Sequence, residues 1–316
     1  AALAEGTGST GGYTVPVQYA NEILAIATEN SVVRPRATII PGVKAEFDFP
    51  ALYNAGGTTG TPASLAGVVA TWTAEAGTKT ETEPTFDIVK LKPHELSGYS
   101  LISKKLMADN GVALEAVLKR LFGEAIGWYE DYAFLYGVGT TQPLGIFESP
   151  CLDYSNTIAT DSKIVIADIA AMVGSMLPSA WAGAAWYVST DVIPQLMQLA
   201  ASSSGPLAWL PDAQADPMGS GMRLFGKPVY VTEKLNTIPD VLNEKGGLLL
   251  ANMRYYLIAD AVDGLAIDYS EHYKFINNQG TFRFCKWVDG QPWLANTITL
   301  ANGKTCSAFV TTKGPA

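Results

Sequence analysis

The sequence predicts an α+β fold, in which one long helix is joined to many strands. Apolar residues recur at helical spacing over residues 112–136, and Gly137 and Gly139 then end the pattern. After Pro143 short helical and strand patterns alternate, and residues 255–311 show mainly strand patterns. The length of 316 residues is enough for two domains.

The N-terminal segment is predicted to depend on contacts outside itself. Residues 1–14 are small and polar, so they offer almost nothing to bury and are expected to stay disordered unless another body holds them. Pro16 is predicted to open a short amphipathic helix, because proline is favoured in a first helical turn. Residues 32–40 are predicted to form a strand or an extended connector.

Residues 47–103 are predicted to form a long hairpin. The outgoing strand begins at Phe47, a Gly/Thr tract at 56–61 interrupts it, a strand resumes at 68–72, and alternating apolar residues mark a returning strand at 86–91. An isolated two-stranded ribbon is marginal in water. Because its large apolar residues are so few, the ribbon is predicted to rest on another body, either a neighbouring subunit or the chain's own domain.

The helix at 112–136 has the clearest pattern of all the elements. Asp109 or Asn110 can cap its N-terminus, and Glu115 lies in the first turn, where a negative charge is favourable. At 1.5 Å per residue the helix would span roughly 37 Å, which suits the spine of a flat domain. Its apolar residues form one predicted stripe: Leu114, Val117, Leu118, Leu121, Ala125, Trp128, Tyr132 and Leu135.

The second half of the chain combines both types of element. Helices are predicted at 164–177 and 191–201, and a long loop rich in Gly, Ser, Pro and Asp is predicted at 202–221. Strands are predicted at six places: 184–189, 229–232, 247–251, 265–269, 281–287 and 298–300.

Composition limits the class of protein. Only 16% of the residues are charged, against about 25% in soluble domains. Either the surface is unusually neutral or neighbours cover much of it, since lasting interfaces are depleted in Lys, Glu and Asp. The net charge of −9 argues against DNA binding by phosphate neutralisation, although a container whose wall repels enclosed DNA is compatible with it.

No apolar run is long enough to cross a membrane and no signal-peptide pattern is found, so no membrane contact is predicted.

The sequence motifs that resemble cofactor-binding or catalytic sites lack the flanking elements or residues that such sites need. The glycine pattern at 6–11 has no strand before it, and GMRLFGK at 221–227 is followed by Pro228, where a nucleotide-binding loop needs Ser or Thr. His94 and His272 have no partner at metal-ligand spacing, and the three cysteines form no C-x-x-C pair. The sequence therefore predicts no catalytic residue, no cofactor and no metal.

Several segments together resemble a known family. In chain order they are GGYTVPVQYANEIL (11–24), SVVRPRATIIP (31–41), WTAEAGTKTETEPTFDIVKLKPHELSGYSLISKKLMADN (72–110), ALEAVLKRLFGEAIGWYEDYAFLYGVGTTQPLGI (113–146) and LFGKPVYVTEKL (224–235). This ordered set covers well over half of the chain and resembles the major capsid proteins of tailed bacteriophages, which have the Hong Kong 97-like fold. Any one segment is a weak signal, whereas the ordered set is specific.

The resemblance implies a structural protein that self-assembles into hexamers and pentamers, and so forms an icosahedral head around double-stranded DNA without sequence-specific binding. A portal, a scaffold and a maturation protease are implied as partners, with a decoration protein as a further candidate. The implied location is the virion, after assembly in the host cytoplasm. Removal of a preceding segment by the protease would explain why the chain starts at Ala1.

Two alternatives to a phage head are kept open. An encapsulin-type nanocompartment shell protein shares the fold but encloses enzymes. A carbohydrate-binding or carbohydrate-active β-protein would use Trp and Tyr side chains as sugar platforms, but it lacks a credible pair of catalytic carboxylates in this sequence.

The resemblance also implies how the chain is divided. The expected parts are the N-arm with the start of the peripheral domain (1–43), the extended loop hairpin and its return (44–103), the spine helix of the peripheral domain (104–142), the axial domain (143–250), the peripheral return strands (251–293) and the completion of the axial domain with the C-terminus (294–316).

Contact residues are inferred from the same resemblance. In some relatives a lysine of the extended loop forms an isopeptide bond with an asparagine of a neighbour, helped by a glutamate. Lys79 stands at the lysine's place, and Asn277 or Asn278 stands at the asparagine's. The acid's place falls at residues 284–286, which are Phe, Cys and Lys, so no cross-link is expected. The candidates for inter-subunit contact are Gly56, Gly57, Trp72, Lys79, Glu81, Glu83, Phe86 and Asn278, and those of the axial loop are Pro206, Trp209 and Pro211.

Overall fold

A computed structural model describes residues 31–43, 46–52, 66–105, 114–158, 163–202, 209–211, 222–239 and 244–314. The predicted helix at Pro16 and the predicted Gly/Thr interruption at 56–61 lie outside these residues. Within the described part of the chain, no helix is both long and apolar enough to cross a membrane.

The described residues contain three α-helices and fifteen strands, which agrees with the predicted α+β class. The helices are α1 (Leu114–Tyr136), α2 (Ile166–Ser175) and α3 (Val192–Ser202). The strands are β1 (Thr38–Val43), β2 (Phe47–Leu52), β3 (Phe86–Leu91), β4 (His94–Ser103), β5 (Leu152–Thr157), β6 (Ala185–Val188), β7 (Trp209–Pro211), β8 (Met222–Leu224), β9 (Lys227–Val231), β10 (Lys245–Ala251), β11 (Tyr256–Lys274), β12 (Gln279–Pro292), β13 (Ile298–Thr299), β14 (Thr305–Cys306) and β15 (Phe309–Lys313).

The larger sheet has seven strands in the order β5-β15-β10-β6-β9-β8-β7. Its pairings are mixed, because β15 runs parallel to β5 and β6 runs parallel to β9, whereas the other pairs are antiparallel. Strand β6 is buried along its whole length, with Trp186 and Tyr187 almost without solvent contact. Helix α2 packs against β5 and β15 through its buried residues Ile169 and Met172. The main hydrophobic core of the chain therefore lies around this sheet.

The smaller sheet has four strands in the order β1-β11-β12-β4, and α1 packs against its face. Phe122 lies 4.7 Å from Phe284 between ring centroids, and Phe134 contacts Tyr256 at 5.5 Å. The face of α1 toward the sheet therefore includes Phe122 and Phe134, which were not part of the predicted stripe. Among the stripe members whose side chains are described, only Leu135 is buried. The sheet-facing side instead encloses polar residues such as Glu130, which is paired with Lys286.

The predicted hairpin is shorter than its sequence pattern suggested. Strands β2 and β3 pair with each other from Phe47↔Leu91 to Leu52↔Phe86, but the next strand, β4, pairs with β12 instead of continuing the hairpin. The predicted strand at 68–72 is not formed, and its apolar residues remain exposed. The predicted connector at 32–40 becomes a strand only from Thr38, where β1 joins β11.

Glycines let the exit of α1 fold back tightly on itself. The Gly137 N–H donates to the Ala133 carbonyl at 2.8 Å, and the Gly145 N–H donates to the Gly137 carbonyl at 2.8 Å. A Cβ on Gly137 would lie 2.0 Å from the Pro143 carbonyl oxygen, which no side chain could tolerate. Gly137, which was predicted to help end the helix, thus also allows a close backbone contact within the segment that follows α1.

Candidate functional site

The ribbon of β2 and β3 has one anchored face and one open face. Residues directly opposite each other in an antiparallel pair share a face, so Phe47 and Leu91 lie on one side, and Leu52 and Phe86 lie on the other. The anchored face buries Val89 and Leu91 in a small core with Val43, Leu257 and Ala259.

The open face carries an apolar patch that the described chain covers only in part. Leu52, Phe86 and Ile88 are 49%, 69% and 54% exposed, and Pro50 stands opposite Ile88. We call these four residues the outer ribbon patch. Large apolar side chains clustered on a thin ribbon are typical of a surface that another molecule covers.

The segment 66–85 leads into β3 and forms no regular secondary structure. Trp72 is fully exposed, and Lys79, Glu81 and Glu83 are also exposed. A hydrogen bond joins its two ends, because the Thr85 N–H donates to the Ala66 carbonyl at 3.0 Å. The structure thus places five of the predicted contact residues (Trp72, Lys79, Glu81, Glu83 and Phe86) on one projecting ribbon, while Gly56 and Gly57 lie outside the described residues.

The tip of the β11–β12 hairpin is a second projecting apolar feature. Residues Phe275–Asn277 form a short 3-10 turn, and Asn278 adopts a left-handed conformation with φ of +52°. Ile276 is 96% exposed and Phe275 is also exposed. The resemblance indicated Asn278 but not this apolar tip; an isoleucine and a phenylalanine directly before an Asn-Asn turn were the available sequence signal.

Residues 284–286, where the resemblance would put the glutamate, lie next to a carboxylate from another strand, Glu95 on β4. Phe284 faces α1, as its contact with Phe122 shows. Cys285 lies on the other face of the sheet, and its Sγ is 3.3 Å from the Glu95 Oε1 on β4. Burial and this carboxylate both raise the pKa of the Cys285 thiol. Glu95 and Cys285 come together only because β4 and β12 pair, so residue spacing alone could not predict this carboxylate.

We expect no covalent cross-link between subunits, despite the presence of Glu95. Within one subunit Glu95 pairs with Trp287 across β4 and β12. Trp287 is eight residues along β12 from Gln279, the neighbour of Asn278, so Glu95 lies about 26 Å from the asparagine that it would have to assist. Boiling the assembled protein in denaturant should therefore yield intact monomers on a gel. A ladder of covalent multimers in the wild type, abolished in Glu95→Gln, would contradict this prediction and assign the missing acid to Glu95.

A buried ion pair ties the start of the described chain to the helix and to the larger sheet. Asp131 on α1 and Lys234, after β9, are both without solvent contact, and Lys234 Nζ is 3.0 Å from the Asp131 carboxylate. The same carboxylate accepts hydrogen bonds from the N–H groups of Val32 and Val33, both at 2.9 Å, and from the Ser31 hydroxyl at 2.7 Å. Three distant parts of the chain thus meet at one carboxylate.

A second charge cluster lies beside it and joins β11 and β12 to the same segment. The Arg34 guanidinium donates to both oxygens of Asp260, at 2.7 and 2.8 Å, and also to Glu130, while Lys286 Nζ is 2.8 Å from Glu130. Burial by itself would raise the pKa of Asp260, but the hydrogen bonds and the charge of Arg34 outweigh it and lower that pKa below its usual value. Burial by itself would lower the pKa of Arg34, but the hydrogen bonds and charges of Asp260 and Glu130 outweigh it and raise that pKa, so the Arg34–Asp260 pair remains charged at neutral pH.

The exposed side of α1 is rich in aromatic residues. Tyr129 and Tyr132 are exposed, and Tyr132 stacks on Trp128 with ring centroids 5.4 Å apart and planes 6° from parallel. Trp128 also donates to Glu233 at 2.8 Å, which fixes the indole against the surface. The predicted apolar stripe of the helix therefore lies largely on this open side, where it is a further candidate contact surface.

The predicted axial-loop residues are only partly described. Trp209 and Pro211 lie in β7, which pairs with β8 at the edge of the larger sheet, so the predicted loop at 202–221 contains a short strand. Pro206 lies outside the described residues. In the described part of the chain, no group of three His, Cys, Asp or Glu side chains could hold a metal ion.

Comparison with solved structures identifies the architecture. The capsid of a native GTA particle matches with a TM-score of 0.75 and 18% identity, and each chain is covered to 100%. The capsid of an empty GTA particle matches with a TM-score of 0.70 and 18% identity over 100% of both chains. A Mycobacterium phage Bobi structure matches with a TM-score of 0.68 and 15% identity over 100% of both chains. The chain therefore has the fold of phage capsid proteins.

The family assignment follows from the sequence as well. Residues 11–303 match the phage capsid family, and the chain belongs to that family. No curated protein is significantly similar in sequence. The predicted Hong Kong 97-like fold and the predicted class, a structural capsid protein of a tailed phage located in the virion, are confirmed, and the encapsulin alternative is not favoured. The family is one of structural proteins, while the predicted lack of catalytic activity stays a prediction.

Proposed function

We propose that this chain builds its shell as hexamers and pentamers in which each ribbon lies on an adjacent subunit. The outer ribbon patch carries this proposal. A two-stranded ribbon whose outer patch exposes three large apolar side chains is poorly stable by itself, and covering each of these three would contribute up to about 1.5–3 kcal/mol.

The division of labour within the subunit is part of the proposal. All seven strands of the larger sheet lie within residues 143–250 and 294–316, apart from Ala251 at the end of β10. This supports the role of these residues as an axial domain. Residues 104–142 and 251–293 supply α1, β11 and β12, which supports a peripheral domain with α1 as its spine. Residues 44–103 would then form the extended loop and its return, and 1–43 the N-arm with the start of the peripheral domain.

The wider partners are proposals as well. The head would enclose double-stranded DNA without reading its sequence, which agrees with a net charge of −9 on the chain. A portal, a scaffold, a maturation protease and a decoration protein are the proposed partners, and assembly is proposed to occur in the host cytoplasm.

Negative-stain microscopy of the purified full chain tests the proposed assembly. Closed icosahedral shells, or isolated rings of five and six subunits, are the expected result. Particles that hold a co-purified enzyme would favour the nanocompartment, and a protein that stays monomeric at all concentrations would contradict the proposal.

Two regions are expected to control assembly without controlling folding. Deleting residues 56–61, or reversing charge in the loop 202–221, should abolish shell formation, because both regions are proposed to contact neighbours and both are rich in small and polar residues. The monomer should keep its circular dichroism spectrum and its unfolding midpoint. A variant that unfolds would show instead that these regions support the subunit itself.

A further inference from the structure

A polar groove of about 690 Å³ opens beside the start of β1, at the edge of the larger sheet. It is formed by four segments of the chain, at 35–38, 182–187, 223–230 and 252–254. None of its lining residues is acidic, and four are cationic: Arg36, Arg223, Lys227 and Arg254.

Neutral groups hold two of these cations in place. The Arg36 guanidinium lies 3.6 Å from the centre of the Tyr230 ring and donates to the Val32 carbonyl at 2.8 Å. Lys227 Nζ donates to the Ala182 carbonyl at 3.2 Å and lies 4.9 Å above the Trp181 ring. Such contacts order a cation but leave its net charge uncompensated.

The groove therefore has an unbalanced positive charge. None of the four cations forms an ion pair within the described chain, whereas Arg34, Lys234 and Lys286 are all paired with carboxylates. Like charges that converge on one site repel each other, and an anion placed among them removes that repulsion. In a chain of net charge −9, such a concentration of cations indicates a specific anionic partner.

The ribbon segment carries the complementary charge. Between residues 66 and 85 there are three carboxylates, Glu75, Glu81 and Glu83, against the single cation Lys79, and all four side chains are exposed. Every copy of the chain would present one such segment for each groove, which suits a repeating contact. A DNA duplex fits less well, because duplex binding requires an extended basic surface rather than one bounded groove.

We propose that this basic groove receives the acidic ribbon segment of an adjacent copy, with Glu81 and Glu83 beside Arg223 and Lys227. The inference rests on the proposed shell assembly and names the surface that accepts the ribbon. Arginine is well suited to this role, because its planar guanidinium can bind a carboxylate through two hydrogen bonds.

A charge swap in the full-length chain tests the pairing. The variants Glu81→Lys/Glu83→Lys and Arg223→Glu/Lys227→Glu should each reduce the yield of shells by more than about tenfold, since like charges across an interface are strongly unfavourable. Combining all four substitutions should restore the yield to within about threefold of the wild type. Reversal of the exposed Glu148, far along the chain from both features, is the control and should leave the yield unchanged.

A disulfide tests whether the contact joins two copies. In a Cys285→Ser background, which leaves only the buried Cys151 and Cys306, the variant Glu83→Cys/Arg223→Cys should form covalent multimers in oxidised shells. Either single-cysteine variant should not. A disulfide within one chain would overturn the inference, because the groove would then bind its own ribbon.

The remaining outcomes separate the two proposals. If the wild type forms shells and Arg223→Glu/Lys227→Glu forms them equally well, the groove inference fails and the assembly proposal stands. If that variant assembles normally but retains less nucleic acid, the groove binds DNA and the inference is likewise overturned. If the wild type forms no shells, both proposals fail.

Discussion

Replacing Asp131 by asparagine is expected to destabilise the folded subunit by about 3–5 kcal/mol, which is the usual effect of removing one partner from a buried ion pair. The Asp131 carboxylate receives hydrogen bonds from Lys234, from the Ser31 hydroxyl and from the N–H groups of Val32 and Val33. An asparagine offers one oxygen to these donors and places its own NH₂ group against the others. The buried Lys234 ammonium would lose this carboxylate entirely.

The loss should appear as a lower midpoint of urea unfolding with an unchanged slope. Glu124→Gln is a matched control, because Glu124 lies on the same helix and pairs with Arg120 at 3.8 Å on the surface. Exposed pairs of this kind contribute at most about 1 kcal/mol, so this variant should unfold close to the wild type. If Asp131→Asn also unfolded within about 1 kcal/mol of the wild type, the three-way junction would not be important for stability.

Changing Ile88 or Phe86 to aspartate is expected to abolish shell formation and to leave the monomer stable. Both side chains belong to the outer ribbon patch and are more than half exposed in the isolated chain, so their replacement removes little buried contact. At an interface each would lose about 1.5–3 kcal/mol of burial and add the cost of an enclosed charge. Since every 1.4 kcal/mol is a tenfold change in affinity, the concentration needed for assembly should rise by at least about a hundredfold.

Val138→Asp is the control for this effect. Val138 follows α1 and is 55% exposed, against 54% for Ile88, so the same charge is added at the same starting exposure but away from the ribbon. Light scattering during assembly compares the variants, and thermal unfolding of the monomers checks their folding. A ribbon variant that assembled like the wild type would show that the outer ribbon patch stays in solvent.

Local patterns in the sequence predicted the elements well, because helix ends and strand alternation are local properties. The helix at 112–136 is observed as Leu114–Tyr136, and the predicted strand at 184–189 is observed as Ala185–Val188. Strands β11 and β12 are longer than the sequence predicted. Their polar residues, such as Asp268 and Arg283, pair with each other across the two strands, so the strands stay extended without an alternating apolar pattern.

The site was less predictable, because it depends on contacts between residues far apart in the chain. Asp131 binds Val32 across 99 positions and Lys234 across 103, and no spacing in the sequence signals either contact. The predicted strand at 68–72 shows the opposite error. Its apolar residues gave a strand pattern, but the segment has no partner strand within the described chain, and a single strand has no hydrogen-bond ladder to hold it.

Pro50 has a consequence for how the ribbons of many copies can meet. Strand β2 pairs with β3 along one edge, and its other edge has no partner strand in the described chain. Unpaired strand edges are templates for runaway growth into fibres, and a proline in such a strand removes one of the N–H groups that growth would need. Where ribbons of neighbouring copies meet, as proposed, the proline would favour face-to-face contact through side chains over edge-to-edge stacking. A closed shell of many identical copies, as proposed here, can form only if this competing route to aggregation is suppressed.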